Sequence, residues 1–120
     1  MSDDKRDPDC LFCKIAAGEI SADPVYESDT VIGFRDINPQ APTHVLFIPR
    51  EHIPTINDID PAHHALVGEL FGAAKSVAAE EGHADDGYRV VMNCNEGASQ
   101  SVFHIHLHLL AGRKLGWPPG

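Results

Sequence analysis

The sequence predicts an α+β fold in which a five-stranded, mainly antiparallel sheet carries one long and one short helix. Three observations predict it. Five runs of strand length are apolar or alternate between apolar and polar residues, turn residues separate these runs, and one long stretch spaces its apolar residues as an amphipathic helix does. With 120 residues, of which 42% are hydrophobic and 22% charged, the chain has the size and composition of a single globular domain.

The chain begins with a polar segment followed by a short helix. Residues 1–9 are expected to form a disordered lead-in to one domain over residues 10–120, of which 112–120 are a C-terminal tail. Asp9 is placed to cap the short helix, and Gly18 suits the position after its last turn.

The strands and the long helix make up the rest of the domain. Strands are predicted at residues 25–27, 31–35, 44–48, 88–93 and 101–110. The long helix begins at Asp60 and Pro61, because an N-cap residue is followed there by a proline whose missing N–H costs nothing. Gly82 ends the helical spacing.

Charge and cysteine content limit the partners and the compartment. Eighteen acidic and nine basic residues give a net charge of −9, which would repel a long phosphate backbone, although one cleft can still bind a small anion. No run approaches the roughly 18 apolar residues of a membrane span. The polar start and the odd count of three cysteines favour the reducing cytoplasm. We therefore expect a cytoplasmic protein that contacts neither nucleic acid nor membrane.

Residues 104–110 read HIHLHLL and place three histidines at alternate positions. On a strand, His104, His106 and His108 would share one face, about 6.5 to 7 Å apart, while apolar residues take the other. A half-exposed strand often carries one such histidine without function, whereas three in register indicate a site. Two chemistries fit: a metal ion held by His-x-His, or attack on phosphorus by a neutral imidazole.

Several motifs together resemble the histidine triad (HIT) superfamily, and within it the Hint branch of nucleoside phosphoramidate hydrolases. They are HIHLHLL, DINPQAPTH at 36–44, IPREHI at 48–53, QSV at 100–102 and WPPG at 117–120. The resemblance implies a HIT-like fold and a homodimer with one continuous sheet. It also implies a purine nucleoside monophosphate, or its phosphoramidate, as ligand, and hydrolysis through a covalent nucleotidyl-histidine that requires no cofactor.

The resemblance also assigns catalytic residues, beginning with His104 as the first histidine of the triad. His106 would be the nucleophile, attacking the α-phosphorus through Nε2 while a backbone carbonyl of the neighbouring chain holds the proton on Nδ1. His108 and His44 would stabilise charge on the phosphate. Ser101, on the same predicted strand, would lie near the amine leaving group.

The nucleotide contacts implied by the resemblance lie mostly outside the triad. Asp36 would bind the ribose; its alternative role is to cap the proline-rich loop that follows it. The walls around the base would be Leu11, Phe12, Ile15, Phe34 and Ile37, which are as often core residues as pocket residues. Asn93, Gln100 and the loop between them would offer donors to the phosphate. Trp117 would reach the active site of the partner subunit.

Cys10 and Cys13 form a C-x-x-C pair. Alone, the pair is consistent with a zinc site, with free buried thiols or with a redox pair. Bacterial HIT proteins with this pair bind zinc through it, the histidine after the Ile-Pro strand and the first triad histidine. The matching residues here are Cys10, Cys13, His52 and His104, so the resemblance implies a structural zinc that fastens the short helix to the sheet.

One position departs from the family pattern. Ser99 stands just before Gln100, where the family usually has glycine. If this position requires a positive φ, either Ser99 bears the cost of the left-handed conformation or the loop bends differently.

Other functions remain open at the level of sequence. A dinucleoside polyphosphate hydrolase is the second enzymatic interpretation, and the WPPG terminus argues against it. A nucleotide-binding regulatory module with little catalysis is a third. A zinc-dependent hydrolase with His104 and His106 as ligands is a fourth, and it would require the metal for activity.

Overall fold

The structure, a computed structural model, describes residues 7–120. The first part of the expected lead-in, residues 1–6, lies outside this range. Residues 7–9 form a turn that is closed by the Cys10 N–H, which donates to the Asp7 carbonyl at 3.0 Å. In the described chain, five antiparallel strands and two α-helices form the predicted α+β architecture.

The sheet has the strand order β1-β2-β3-β5-β4. The strands are β1 Pro24–Glu27, β2 Val31–Arg35, β3 Thr43–Pro49, β4 Tyr88–Val91 and β5 Leu107–Ala111. The first three form a meander, and the chain then crosses to the far edge and returns between β3 and β4. This return places β5 beside β3, with Leu46 opposite His108 and His44 opposite Leu110.

The two helices begin at different kinds of cap. The long helix α2, His64–Glu80, follows a 3₁₀ turn that Asp60 caps, as predicted, by accepting the Ala62 N–H at 2.8 Å. The predicted cap of the short helix is wrong: α1, Leu11–Ala16, is capped by Cys10, whose sulfur accepts the Cys13 N–H at 3.4 Å. Neither these helices nor the shorter helical turns within residues 7–120 are long and apolar enough to cross a bilayer.

The helices cover opposite faces of the sheet. The strand residues that pack against α2 include Val45, Phe47, Leu107 and Leu109. Phe12 of α1 packs on the other face, with Leu46 and Ile48. Because strand residues alternate between faces, His108 shares the α1 face with Leu46. Strand periodicity therefore directs the apolar half of the HIHLHLL pattern to α2 and leaves its histidines on the other side.

The predicted last strand is too long at its start. It was expected over 101–110, but β5 begins at Leu107, and Ile105 bonds instead to the Ile53 carbonyl at 2.8 Å. Pro49, which would continue the ladder on β3, has no N–H to donate. Its carbonyl is bound by the His104 ring at 2.7 Å. The chain therefore joins the sheet only at Leu107, and Ser101, His104 and His106 precede the strand.

Candidate active site

The three alternating histidines divide between two environments. The rings of His106 and His108 lie 5.0 Å apart, and His44 on the neighbouring strand lies 5.3 Å from His108. His104 is completely buried, with its ring among Phe12 and the side chains that follow β3. The expected row of three equivalent rings is therefore wrong, because the strand begins only after His106.

The hydrogen bond of His106 fixes its tautomer. Nδ1 lies 2.9 Å from the carbonyl oxygen of His104, and only a protonated nitrogen can donate to a carbonyl. Nε2 of the neutral ring therefore carries a free lone pair. Burial lowers the pKa of His106, so the ring is neutral at pH 7. A carbonyl of a neighbouring chain was expected to hold this proton, but the carbonyl that accepts it is that of His104, two positions earlier in the same chain.

A second series of hydrogen bonds fixes the tautomers of His44 and His108. The Gln40 N–H donates to Nδ1 of His44 at 3.0 Å, so the proton of a neutral His44 is on Nε2. That nitrogen lies 3.0 Å from Nδ1 of His108, which must accept and therefore carries its own proton on Nε2. Burial lowers the pKa of His44, and burial with the neighbouring His106 and His44 lowers that of His108 to about 4. His108 is thus a neutral donor beside the His106 lone pair.

Asp36 performs the capping role that was one of its two predicted uses. Its Oδ1 accepts the Asn38 N–H at 2.8 Å, and its Oδ2 lies 3.4 Å from Nε2 of His44. This carboxylate acts against burial by raising the pKa of His44. The role of Asp36 in ribose binding stays a prediction.

A cleft of about 340 Å³ lies next to these groups. Four of the five predicted base-wall residues line it together with Asp36; they are Leu11, Ile15, Phe34 and Ile37. Phe12 is different, since it is buried with its ring 5.0 Å from that of His106 and supports the pocket from behind. Residues 20–23 also line the cleft and had not been predicted. They form an irregular segment without a motif, so only the fold brings them there.

The expected phosphate loop is held in a strained conformation. Asn95 has a φ of 66° and Ser99 a φ of 65°. Of the two outcomes considered for Ser99, the structure shows the left-handed conformation at its energetic cost. Gln100 is buried, and its amide accepts from the Asn95 N–H at 2.7 Å and donates to the carbonyls of Pro54 and Val102. Both Gln100 donors are therefore occupied in bracing the loop, and the expected amide contact to phosphate is not available.

The remaining predicted residues around the phosphate are more open. Ser101 is exposed in the irregular segment between this loop and His104. Asn93 is half-buried just after β4. Trp117 is 83% exposed and does not line the cleft of its own chain. The tail before it is tied to β4, because Arg89 donates to the Gly116 carbonyl at 2.7 Å.

The four predicted metal ligands meet in one cluster. The ligand atoms of Cys10, Cys13, His52 and His104 all lie within 4.8 Å of one another. Nδ1 of His104 lies 3.4 Å from the Cys10 sulfur, 3.6 Å from the Cys13 sulfur and 3.3 Å from Nδ1 of His52. The Cys13 sulfur lies 3.4 Å from the same His52 nitrogen.

These separations match a tetrahedral zinc site. Bonds of about 2.3 Å to sulfur and about 2.0 to 2.1 Å to nitrogen place such ligand pairs about 3.3 to 3.6 Å apart. The His104 ring is also prepared for a metal, since its Nε2–H donates to Pro49 and leaves the Nδ1 lone pair directed at the cluster. Burial lowers the pKa of His104 to about 4, which keeps its ring neutral, whereas burial raises the pKa of the Cys13 thiol, so that its thiolate depends on the metal. The donor set therefore fits zinc in number, type and spacing.

Comparisons with known proteins agree with this geometry. The family model described as "Scavenger mRNA decapping enzyme C-term binding" matches residues 9–116. A purine nucleoside phosphoramidase from Escherichia coli K12 is 51% identical over 106 residues, which cover 88% of this chain and 89% of that protein. A 14 kDa zinc-binding protein from Zea mays is 47% identical over 116 residues, or 95% of this chain and 90% of that protein.

A solved structure extends the similarity to the fold. The crystal structure of a HIT family hydrolase from Legionella pneumophila Philadelphia 1 superposes with a TM-score of 0.92 at 54% identity, covering 93% of this chain and 100% of that chain. Both the family-model match and the superposed fold span nearly the whole described chain. These matches confirm the family resemblance, and the chain belongs to the histidine triad (HIT) superfamily.

Proposed function

We propose that this protein is a purine nucleoside phosphoramidase, which hydrolyses the P–N bond of a nucleoside 5′-phosphoramidate to a nucleoside monophosphate and an amine. The observation that carries the proposal is the tautomer of His106, whose Nδ1–H is bound to the His104 carbonyl and whose Nε2 lone pair is free. The similarity to the Escherichia coli purine nucleoside phosphoramidase supports the choice of substrate.

In the first step, Nε2 of His106 attacks the α-phosphorus. A P–Nε2 bond forms as the P–N bond to the amine breaks, and the departing nitrogen takes the bonding electrons and a proton that solvent supplies through a neighbouring hydroxyl. Ser101 is the proposed hydroxyl beside this nitrogen. The Nε2–H of His108 stabilises the charge that grows on the phosphate oxygens. His44 acts through His108, because its own nitrogens are bonded to the Gln40 N–H and to Nδ1 of His108.

In the second step, water attacks the same phosphorus. The P–Nε2 bond breaks, its electrons return to His106, and the water proton is released as the nucleoside monophosphate forms. The positive charge that His106 carries while it is bonded to phosphorus is shared through Nδ1–H with the His104 carbonyl, 2.9 Å away. The same hydrogen bond therefore serves both steps.

The cleft beside the histidines is the proposed nucleoside site. The base would lie between the apolar walls, and the second Asp36 oxygen would accept from the ribose, while Asn93 and the backbone of residues 93–101 would bind the phosphate. In the homodimer that the family resemblance implies, Trp117 would reach the partner's cleft. Its support here is that β4 lies at the edge of the sheet and that Trp117 projects from its own chain.

Cys10, Cys13, His52 and His104 are proposed to hold one structural zinc ion, which would crosslink the N-terminal turn of α1 to the segments after β3 and before β5. The spacing of the donors supports this, as does the name of the Zea mays relative. A zinc-dependent hydrolase using His104 and His106 is not favoured, because the free nitrogens of these two rings serve different clusters. The free thiols also fit the cytoplasm as the place of the reaction.

Capture of the intermediate tests the proposal. Brief incubation with adenosine 5′-phosphoramidate, followed by acid quenching and peptide mass analysis, should show an adenylyl adduct on the peptide containing His106. H106A should give no adduct and lose at least about 10³-fold in kcat/KM. H64A, which changes an exposed histidine at the start of α2, is the matched control and should behave as wild type. Equal turnover by H106A and wild type would reject the mechanism.

A further inference from the structure

The tautomer of His108 depends on a peptide group outside the sheet. The Gln40 N–H donates to His44, and His44 in turn donates to His108. Gln40 lies in the exposed loop between β2 and β3, where side chains bond mainly within the loop, as Gln40 does to the Asn38 carbonyl at 3.1 Å. A group that fixes this peptide therefore fixes the hydrogen bonds of both rings.

The chain just after β5 holds the backbone of Gln40 from its other side. Nε of Arg113 donates at 2.9 Å to the Gln40 carbonyl, which belongs to the peptide group after the one that carries the Gln40 N–H. A second guanidinium nitrogen bonds the Lys114 carbonyl at 3.1 Å. The turn before it is fitted to the same loop, since Gly112 has a φ of 95° and a Cβ there would lie 2.8 Å from Cβ of Pro42. This close approach brings the Arg113 side chain to the loop.

We propose that Arg113 is a positioning residue, which anchors the backbone of Gln40 through its carbonyl, so that the Gln40 N–H stays on His44 and keeps His44 and His108 in their Nε2–H tautomers. The functional consequence rests on the proposed reaction, in which the Nε2–H of His108 donates to the phosphate.

The direction of the hydrogen bonds from Gln40 through His44 to His108 decides whether Nε2 of His108 presents an N–H or a lone pair to the phosphate. If the Gln40 N–H moves away, only the Asp36 carboxylate, 3.4 Å from Nε2 of His44, still favours the proton on Nε2, and the Nδ1–H tautomer of His44 becomes populated. In that tautomer the bare Nε2 of His44 faces Nδ1 of His108. His108 must take its own proton on Nδ1 to avoid two opposed lone pairs, which leaves a lone pair on its Nε2. A donor to the phosphate thus becomes an acceptor that repels it.

The test compares R113A, R113K and the neighbouring control K114A. Long-range ¹H–¹⁵N NMR of the substrate-free protein should show Nε2–H tautomers for His44 and His108 in wild type and K114A. R113A should give mixed tautomers for both rings while His106 keeps its Nδ1–H form. R113K, which retains one donor, should restore part of the wild-type pattern.

Turnover of adenosine 5′-phosphoramidate provides the second readout. For R113A we expect kcat to fall about 10-fold with KM nearly unchanged, because the phosphate still binds but its charge is less well stabilised. Wild-type tautomers in R113A, or a loss of kcat without a tautomer change, would overturn the proposal. Because the tautomers are read without substrate, failure of the phosphoramidase assay in wild type would reject the proposed reaction and leave the positioning role to be decided by NMR. The exposed side chain of Arg113 makes R113A compatible with folding, and the melting temperature checks this.

Discussion

His104 and His106 are two residues apart in the same motif and both pack against Phe12, yet their free nitrogens serve two different clusters. Each ring donates to a backbone carbonyl, but His104 does so through Nε2 and His106 through Nδ1. The free nitrogen of His104 consequently faces two sulfurs and His52, while that of His106 remains available beside His108. The comparison teaches that the carbonyl bound by each ring, rather than the alternating pattern, decides which histidine can bind metal and which can attack phosphorus.

Substitution of the two rings should produce opposite losses, and this is the largest effect we expect. H106A should lose at least about 10³-fold in kcat/KM while keeping the zinc content of wild type. H104A should lose zinc and about 2 to 4 kcal/mol of unfolding free energy, since a fully buried ring and a ligand disappear together. The backbone carbonyl that holds His106 is unchanged by H104A, so the folded fraction should retain most of its turnover.

These losses are measured by zinc analysis, by urea unfolding and by turnover per folded molecule. C13S removes one ligand without a ring and serves as the second variant if H104A does not fold. The separation of roles would be contradicted by H104A and H106A losing both zinc and turnover to the same extent.

A smaller effect on stability is expected at the phosphate loop, where the backbone of Ser99 is strained. S99G should raise the unfolding free energy by about 0.5 to 1 kcal/mol, because glycine adopts the observed φ of 65° without the cost borne by serine. S76G, at an exposed position inside α2, is the matched control and should lower it by about 0.5 kcal/mol. Urea denaturation compares the two, and equal signs would show that Ser99 is not strained.

The sequence predicted the elements that are marked by their own residues. The strands up to β3 and the long helix lie within one or two residues of their expected ends, apart from the 3₁₀ turn after Asp60, because short apolar runs between turn residues mark these strands and helical spacing marks the helix. The prediction was wrong for the first half of the last strand, which begins only at Leu107. The reason lies outside its own sequence, because the residue that would pair with Ile105 is Pro49. A cap formed by a sulfur, as at Cys10, also lies outside the usual cap residues.

The site was predicted by residue type better than by role. The family motifs brought together the four metal-ligand candidates and most of the cleft walls. They did not show that both amide donors of Gln100 are used within the loop, that Phe12 is core, or that Arg113 reaches Gln40. These facts depend on hydrogen-bond partners that are distant in sequence, and no local pattern encodes them.

The most direct test of the opposite tautomers is ¹⁵N NMR of the imidazoles in zinc-loaded protein at neutral pH. We predict that His106 carries its proton on Nδ1 and has a bare Nε2, and that His104 carries its proton on Nε2 with Nδ1 shifted by the metal. A His106 ring protonated on Nε2 would contradict the nucleophilic role, because its lone pair would then face the carbonyl of His104 instead of the substrate.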